Sequence, residues 1–154
     1  MGANRKGLLV TVIAATTLLI AIQMASGIWL FATKLTFEPA RIAAAYIGDP
    51  EAFIAGKTVV GILQTSLPHV VAMGTVALLM AHLLPHCGVS QRRVRWLSAA
   101  MFAGAAGEVA MPFLIVLFSP LFGWGKLVSF ILFEAGIAVT LISVLASSFK
   151  KHSI

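Results

Sequence analysis

The chain has 154 residues, 60% of them hydrophobic and 10% charged, whereas a soluble domain carries about 25% charged residues. Its net charge of +6 falls at the ends of apolar runs rather than across a face, which excludes a nucleic-acid-binding surface. The length suggests one domain, and the runs are too long and too continuous for the alternating strands of a membrane β-barrel, so an all-α bundle is expected.

A helix crosses the hydrocarbon core with roughly 20 apolar residues. Four runs meet that length, at about residues 8–31, 59–84, 96–118 and 127–147. They predict a polytopic bundle of four antiparallel transmembrane helices.

The first run follows Arg5 and Lys6. Met24-Ala25-Ser26 suggests a cleavage site, but the apolar run continues through Trp29, Leu30 and Phe31, so an uncleaved helix is expected. The opening Met1-Gly2 lacks the Ser or Thr of a myristoylation start, because Lys6 stands there. Gln23 is its notable polar residue, with Thr16 and Gly27 on the same face.

The connection over residues 32–57 is the only sizeable loop, and an extracytoplasmic one. Residues 39–47 suit a short helix lying on the surface. Asp49-Pro50-Glu51 reads as the start of another, with Asp49 as N-cap and Pro50 in the first position.

The second run carries Pro68 and His69 midway, His82 near its end, then His86 and Cys87. A single cysteine excludes an internal disulfide. Residues 88–95 form a short basic loop with Arg92, Arg93 and Arg95. The third run carries Glu108 and Pro112. Residues 119–126 read as a tight turn, and the fourth run carries Glu134 before Lys150, Lys151 and His152.

Counted by side, seven Lys or Arg residues lie with the termini and the second loop, and four (Lys34, Arg41, Lys57, Lys126) lie opposite. The excess faces the cytoplasm. The expected location is a bacterial-type inner membrane, with both termini in the cytoplasm. Trp29, Trp96 and Trp124 mark interfaces, because the indole ring has an apolar body and a polar N–H.

A charged side chain at a helix centre costs at least ~2.5 kcal/mol on insertion scales, so such residues face partners. Helix rise puts His69, Glu108 and Glu134 at one depth, roughly 13–17 Å from their outer ends. Gln23 lies at a similar level. Thr65, Ser66, Met73 and Met80 share the His69 stripe, while Gly104 and Met111 share that of Glu108. Pro68 and Pro112 lack an amide hydrogen, which frees the carbonyls of Gln64 and Glu108 for an ion, a water or a side chain. The four residues His69, Glu108, Glu134 and Gln23 form either a central site for a proton, metal or polar substrate, or a hydrogen-bonded cluster that fixes packing.

His82 and His86 are four residues apart, a spacing that suits a transition metal, with Cys87 adjacent and His152 on the same side. His69 and His82 lie roughly 20 Å apart along one helix. That placement resembles membrane b-type cytochromes, which set one histidine near each leaflet. The resemblance implies haem b, with His69 and His82 as ligands. No opposing histidine exists on the third or fourth run, so Met24, Met101 or Met111, or a residue of another subunit, would have to serve.

The segments Tyr46-Ile47-Gly48-Asp49-Pro50-Glu51, Leu67-Pro68-His69 and Ala72-Met73-Gly74 also resemble small uncharacterised bacterial four-helix membrane proteins. That resemblance implies the fold and no activity. No nucleophile–base pair, phosphate loop or Ser/His/Asp spacing is present, so an enzyme is not indicated. Three readings stay open: a haem- or metal-binding redox subunit, a small proton-coupled transporter, and an accessory or assembly subunit of a larger complex. Each would sit in the lipid bilayer, as a homo-oligomer or within a membrane complex.

Overall fold

In the computed structural model, which describes residues 2–51 and 53–150, the chain folds into five α-helices. Helix α1 spans Gly2–Leu30 and continues as a π-helical turn over Phe31–Leu35. Helix α2 spans Pro39–Ile47, α3 spans Val59–Leu83 with a 3₁₀ turn over Leu84–Cys87, α4 spans Gln91–Leu117 and α5 spans Phe122–Lys150. Helices α1, α3, α4 and α5 are long and apolar enough to cross a membrane. His152 lies outside the described residues.

The outer surface requires a bilayer. Leu19, Val71 and Ile142 are 65–69% exposed on different spans. Burying such a side chain is worth ~1.5–3 kcal/mol, which a water-facing bundle would forgo at every position. In hydrocarbon that exposure is neutral. The protein is therefore an integral, multi-pass membrane protein.

Helices α4 and α5 form the central seam, and the sequence explains their closeness. A Cβ on Gly104 would sit 2.7 Å from the Phe133 amide nitrogen, and one on Gly107 would collide with the Ser129 side chain. In the same antiparallel register, the Met101 side chain fills the space over Gly136 and Met111 that over Gly125. Small residues thus meet backbone or larger side chains all along the contact, as lipid-embedded helices require when packing must hold them together. Thr140 is fully buried there and donates to the Gly136 carbonyl (2.8 Å).

Two apolar clusters flank the polar level. Toward the chain termini lie Ile20, Met73, Ala77, Met80, Met101, Phe133 and Ile137. Toward the first loop lie Phe31, Ile42, Tyr46, Ile62, Ile115 and Phe130, with the Phe31 and Phe130 rings stacked at 3.8 Å. Helix α1 is the peripheral member, with only 6% of its spanning window buried.

The first loop differs from the sequence reading in two respects. Helix α2 does not simply lie on the surface: Ile42, Ala43 and Tyr46 are buried in the outer cluster, and the Pro39 carbonyl packs directly over Gly123 at the start of α5. Asp49-Pro50-Glu51 starts no helix. Asp49 Oδ1 accepts from the Glu51 amide (3.0 Å), and Asp49 and Ile54 exchange backbone hydrogen bonds of 2.9 Å. The chain has to reverse there to reach α3, and it does so through Gly48 at φ 96° packed against Gly56. Thr58 then caps α3, its Oγ1 accepting from the Gly61 amide at 3.1 Å.

Candidate functional site

The polar level is organised around a residue that charge counting assigns to a loop. Because α5 starts at Phe122, Lys126 lies inside the fourth span rather than in a turn. It is 5% exposed, and its Nζ donates to Glu108 Oε2 at 2.7 Å and to the Glu108 carbonyl at 2.9 Å. Pro112 is the reason that carbonyl is available: the residue four positions on has no N–H to offer it. Lys126 supplies the missing donor, and one ammonium satisfies both acceptors of one residue. Lys126 therefore no longer counts among the basic residues of the loops on the first-loop side.

His69, on α3, is exposed toward the cleft. Its Nδ1 lies 2.7 Å from the Thr65 carbonyl, which can only accept, so Nδ1 carries a hydrogen. Glu134, on α5, points into the gap between α5 and α1, where its Oε1 would lie 3.0 Å from a Cβ on Gly27. Two carboxylate oxygens, Glu108 Oε1 and Glu134 Oε2, are buried without a hydrogen-bond partner among the described residues. Such an oxygen costs ~1–3 kcal/mol when nothing donates to it.

A cavity of about 510 Å³ joins these groups, within the range of about 300–1,000 Å³ typical of small-molecule sites. Gln23, His69, Glu108, Lys126 and Glu134 all line it, between α1 and the α3–α5 core. Phe31, Phe130 and Phe133 supply apolar wall, and Lys34, Tyr46 and Lys57 also border it. A smaller cavity of about 60 Å³ also borders the Glu108–Lys126 pair, lined by Thr65, Ser66, His69 and Pro112. A water needs about 10–15 Å³ of such space, so this cavity can hold a few. Tyr46 borders both cavities. Burial, and secondarily the nearby Glu108 carboxylate, push its phenol up to about 12. Lys57 sits 4.5 Å above its ring.

The structure thus gathers Gln23, His69, Glu108 and Glu134 around one space and adds Lys126. It does not bring the other ligand candidates there. His82 and His86 are exposed near the opposite end of α3, their rings edge to face at 5.8 Å, and neither borders the cavity. Cys87 donates its thiol to the Leu83 carbonyl at 3.4 Å. Among the described residues no three His, Cys, Asp or Glu side chains converge to hold a metal. The methionines named as opposing haem ligands are packing residues: Met111 and Met101 lie against glycines of α5, and Met24 packs on the inner cluster.

A family described as a transmembrane helical domain matches residues 36–153, which take in α2 to α5 and the Glu108–Lys126 pair. No curated protein and no solved structure matches the chain.

Proposed function

The chain belongs to the transmembrane helical domain family Aq_1264_TM, and we propose that it is a small proton-coupled carrier that binds its solute at the Glu108–Glu134 level. One observation carries this reading: Glu108 and Glu134, on adjacent helices, each bury one carboxylate oxygen with no donor among the described residues, and both border one solute-sized cavity. An unpaired buried carboxylate is costly, so such a group takes up either a proton or a cationic partner. That competition is the elementary step of proton-coupled binding.

In this reading Lys126 holds Glu108 in place, and Glu134 is the exchanging group. His69 relays protons along the water-sized space beside the pair. Helix α1, thinly packed, is the wall that shifts to admit and release the solute. Four helices enclose little, so we take the working unit to be a homo-oligomer in the inner membrane, with the basic ends in the cytoplasm. The redox reading has less support, because it needs a second axial ligand for His69 and each methionine offered for that role is engaged in packing.

The test is reconstitution in vesicles containing a pH-sensitive dye. Outward gradients of amines, amino acids, carboxylates, sugars and monovalent cations are imposed in turn. At least one is expected to drive proton movement in the wild type and not in Glu134→Gln. Proton movement that no class elicits, or that Glu134→Gln leaves intact, rejects the carrier.

A further inference from the structure

We propose that the cavity floor is built for a small organic ammonium ion, a protonated primary amine with an apolar or aromatic tail. This deepens the carrier reading and rests on it. The argument begins with charge. Two carboxylates, Glu108 and Glu134, meet one ammonium, Lys126, which is committed to Glu108 through two hydrogen bonds. The floor therefore has room for one further positive charge.

Hydrogen bonding narrows the choice. Glu108 Oε1 and Glu134 Oε2 are both buried acceptors without a donor. The Glu108 side chain is itself 10% exposed, and the Lys126 side chain 7%. A primary ammonium brings one charge and three N–H donors, which suits a floor of carboxylate acceptors. A metal ion fits poorly, because calcium takes about 6–8 oxygen ligands and, among the described residues, no three His, Cys, Asp or Glu side chains converge to hold one. An anion finds no free cation on the floor, because Lys126 is already paired with Glu108.

The walls select the tail. Phe31, Phe130, Phe133 and Leu30 border the same cavity, and aromatic faces attract both hydrocarbon and ammonium. The other titratable groups that face the cavity are Lys34 from α1, Tyr46 from α2, Lys57 from the first loop and His69 from α3. Lys34 and Lys57 are exposed at the rim. Charges there are screened over about 8–10 Å at ordinary salt, whereas the buried carboxylates are screened much less.

Binding exchanges one charge for another. The protonated Glu134 carboxyl and the ammonium ion together give the carboxylate–ammonium pair and one released proton, so charge balances at +1 on each side. No covalent bond other than the carboxyl O–H is broken.

The experiment is calorimetry on the purified full chain in mild detergent. The probes are phenethylamine and hexylamine, with phenylacetate and hexanoate as anions of matching shape. Titrations in buffers of different ionisation enthalpy give the proton count. The wild type is expected to bind the amines and not the acids, and to release close to one proton per amine. Glu134→Gln is expected to weaken amine binding by at least about 30-fold, as for a buried charge partner lost, and to abolish proton release. Glu134→Asp should keep the release. Melting temperatures of both variants near the wild type show that the fold is intact. Failure of the wild type to bind either amine, equal binding of the acids, or full amine affinity in a folded Glu134→Gln each overturns the assignment. If the amines fail while vesicles still couple protons to another solute, the substrate class is wrong and the carrier stands. If both fail, both are wrong.

Discussion

Replacing Lys126 with Met keeps the length of the side chain and removes its charge and donors. The structure predicts two separable losses. Glu108 loses the ammonium 2.7 Å from Oε2, in a site where the two side chains are 10% and 7% exposed. Removing one partner of a buried ion pair costs ~3–5 kcal/mol. The Glu108 carbonyl also loses its 2.9 Å donor, and Pro112 ensures that no backbone amide replaces it. That part is worth about 1 kcal/mol. Neutral interhelical hydrogen bonds in bilayers average ~0.6 kcal/mol and reach ~1.7, so the comparison is decisive. Coupling between positions 108 and 126, from a cycle of Glu108→Gln, Lys126→Met and the double variant, should exceed ~2 kcal/mol, the range of charged rather than neutral pairs. Unfolding by sodium dodecyl sulfate in mixed micelles, followed through the reactivity of the single thiol Cys87, gives these energies. Placing Lys126→Met in a Pro112→Ala background should recover about 1 kcal/mol, because the restored amide can bond the orphaned carbonyl. A Lys126→Met variant within 1 kcal/mol of the wild type by the same assay would refute the reasoning.

Gly107→Val should loosen the α4–α5 seam, since even a Cβ there collides with Ser129; overpacking of this kind costs ~1–3 kcal/mol, read as a lower melting temperature. Tyr46 is the only tyrosine, so tyrosinate absorbance reports it alone; its midpoint should fall near 12 in the folded protein and near 10 after unfolding. Because the folded value is raised, the folded state holds the extra proton. Stability should be level below pH about 10 and fall as pH rises toward 12. Glu108→Gln should bring the folded midpoint down, because Glu108 contributes to the rise. Cys87, half-buried at the basic end of α3, should react with a membrane-impermeant maleimide in inside-out vesicles and resist it in right-side-out ones; the reverse would invert the assumed topology.

The four spans were legible in the sequence because hydrocarbon thickness sets a length that apolar runs report directly. Helix rise put His69, Glu108 and Glu134 at one depth, whereas the α4–α5 register sets Glu108 opposite the Gly125–Ser129 turn and Glu134 nearer Met101 and Gly104; all three nevertheless border one cavity. Lys126 was not. A lysine between two apolar runs is counted as a loop charge, and its long stem hides which way it turns. One signal was present: Pro112 orphans the Glu108 carbonyl, and Lys126, in the first turns of the next helix, is a donor within reach. The seam register was also hidden, since Gly104, Gly107, Gly125 and Gly136 reveal closeness without saying what each one meets. The reading of Asp49-Pro50-Glu51 as a helix start failed for a different reason. Local capping chemistry is satisfied equally well by a turn, and Gly48 and Gly56 on either side fix the reversal.

Helix α1 ends where the matched family region begins, and few of its residues are buried. It nevertheless provides Gln23, Gly27, Phe31 and Lys34 to the cavity. The ion pair and the glycine seam lie within the matched region, and one face of the cavity lies before it. The two can therefore vary independently: a different first helix, or a helix lent by a neighbouring subunit, would reshape what enters while leaving the Glu108–Lys126 pair undisturbed. On the carrier reading, the stretch that shapes the entrance and the stretch that holds the fold together are separate.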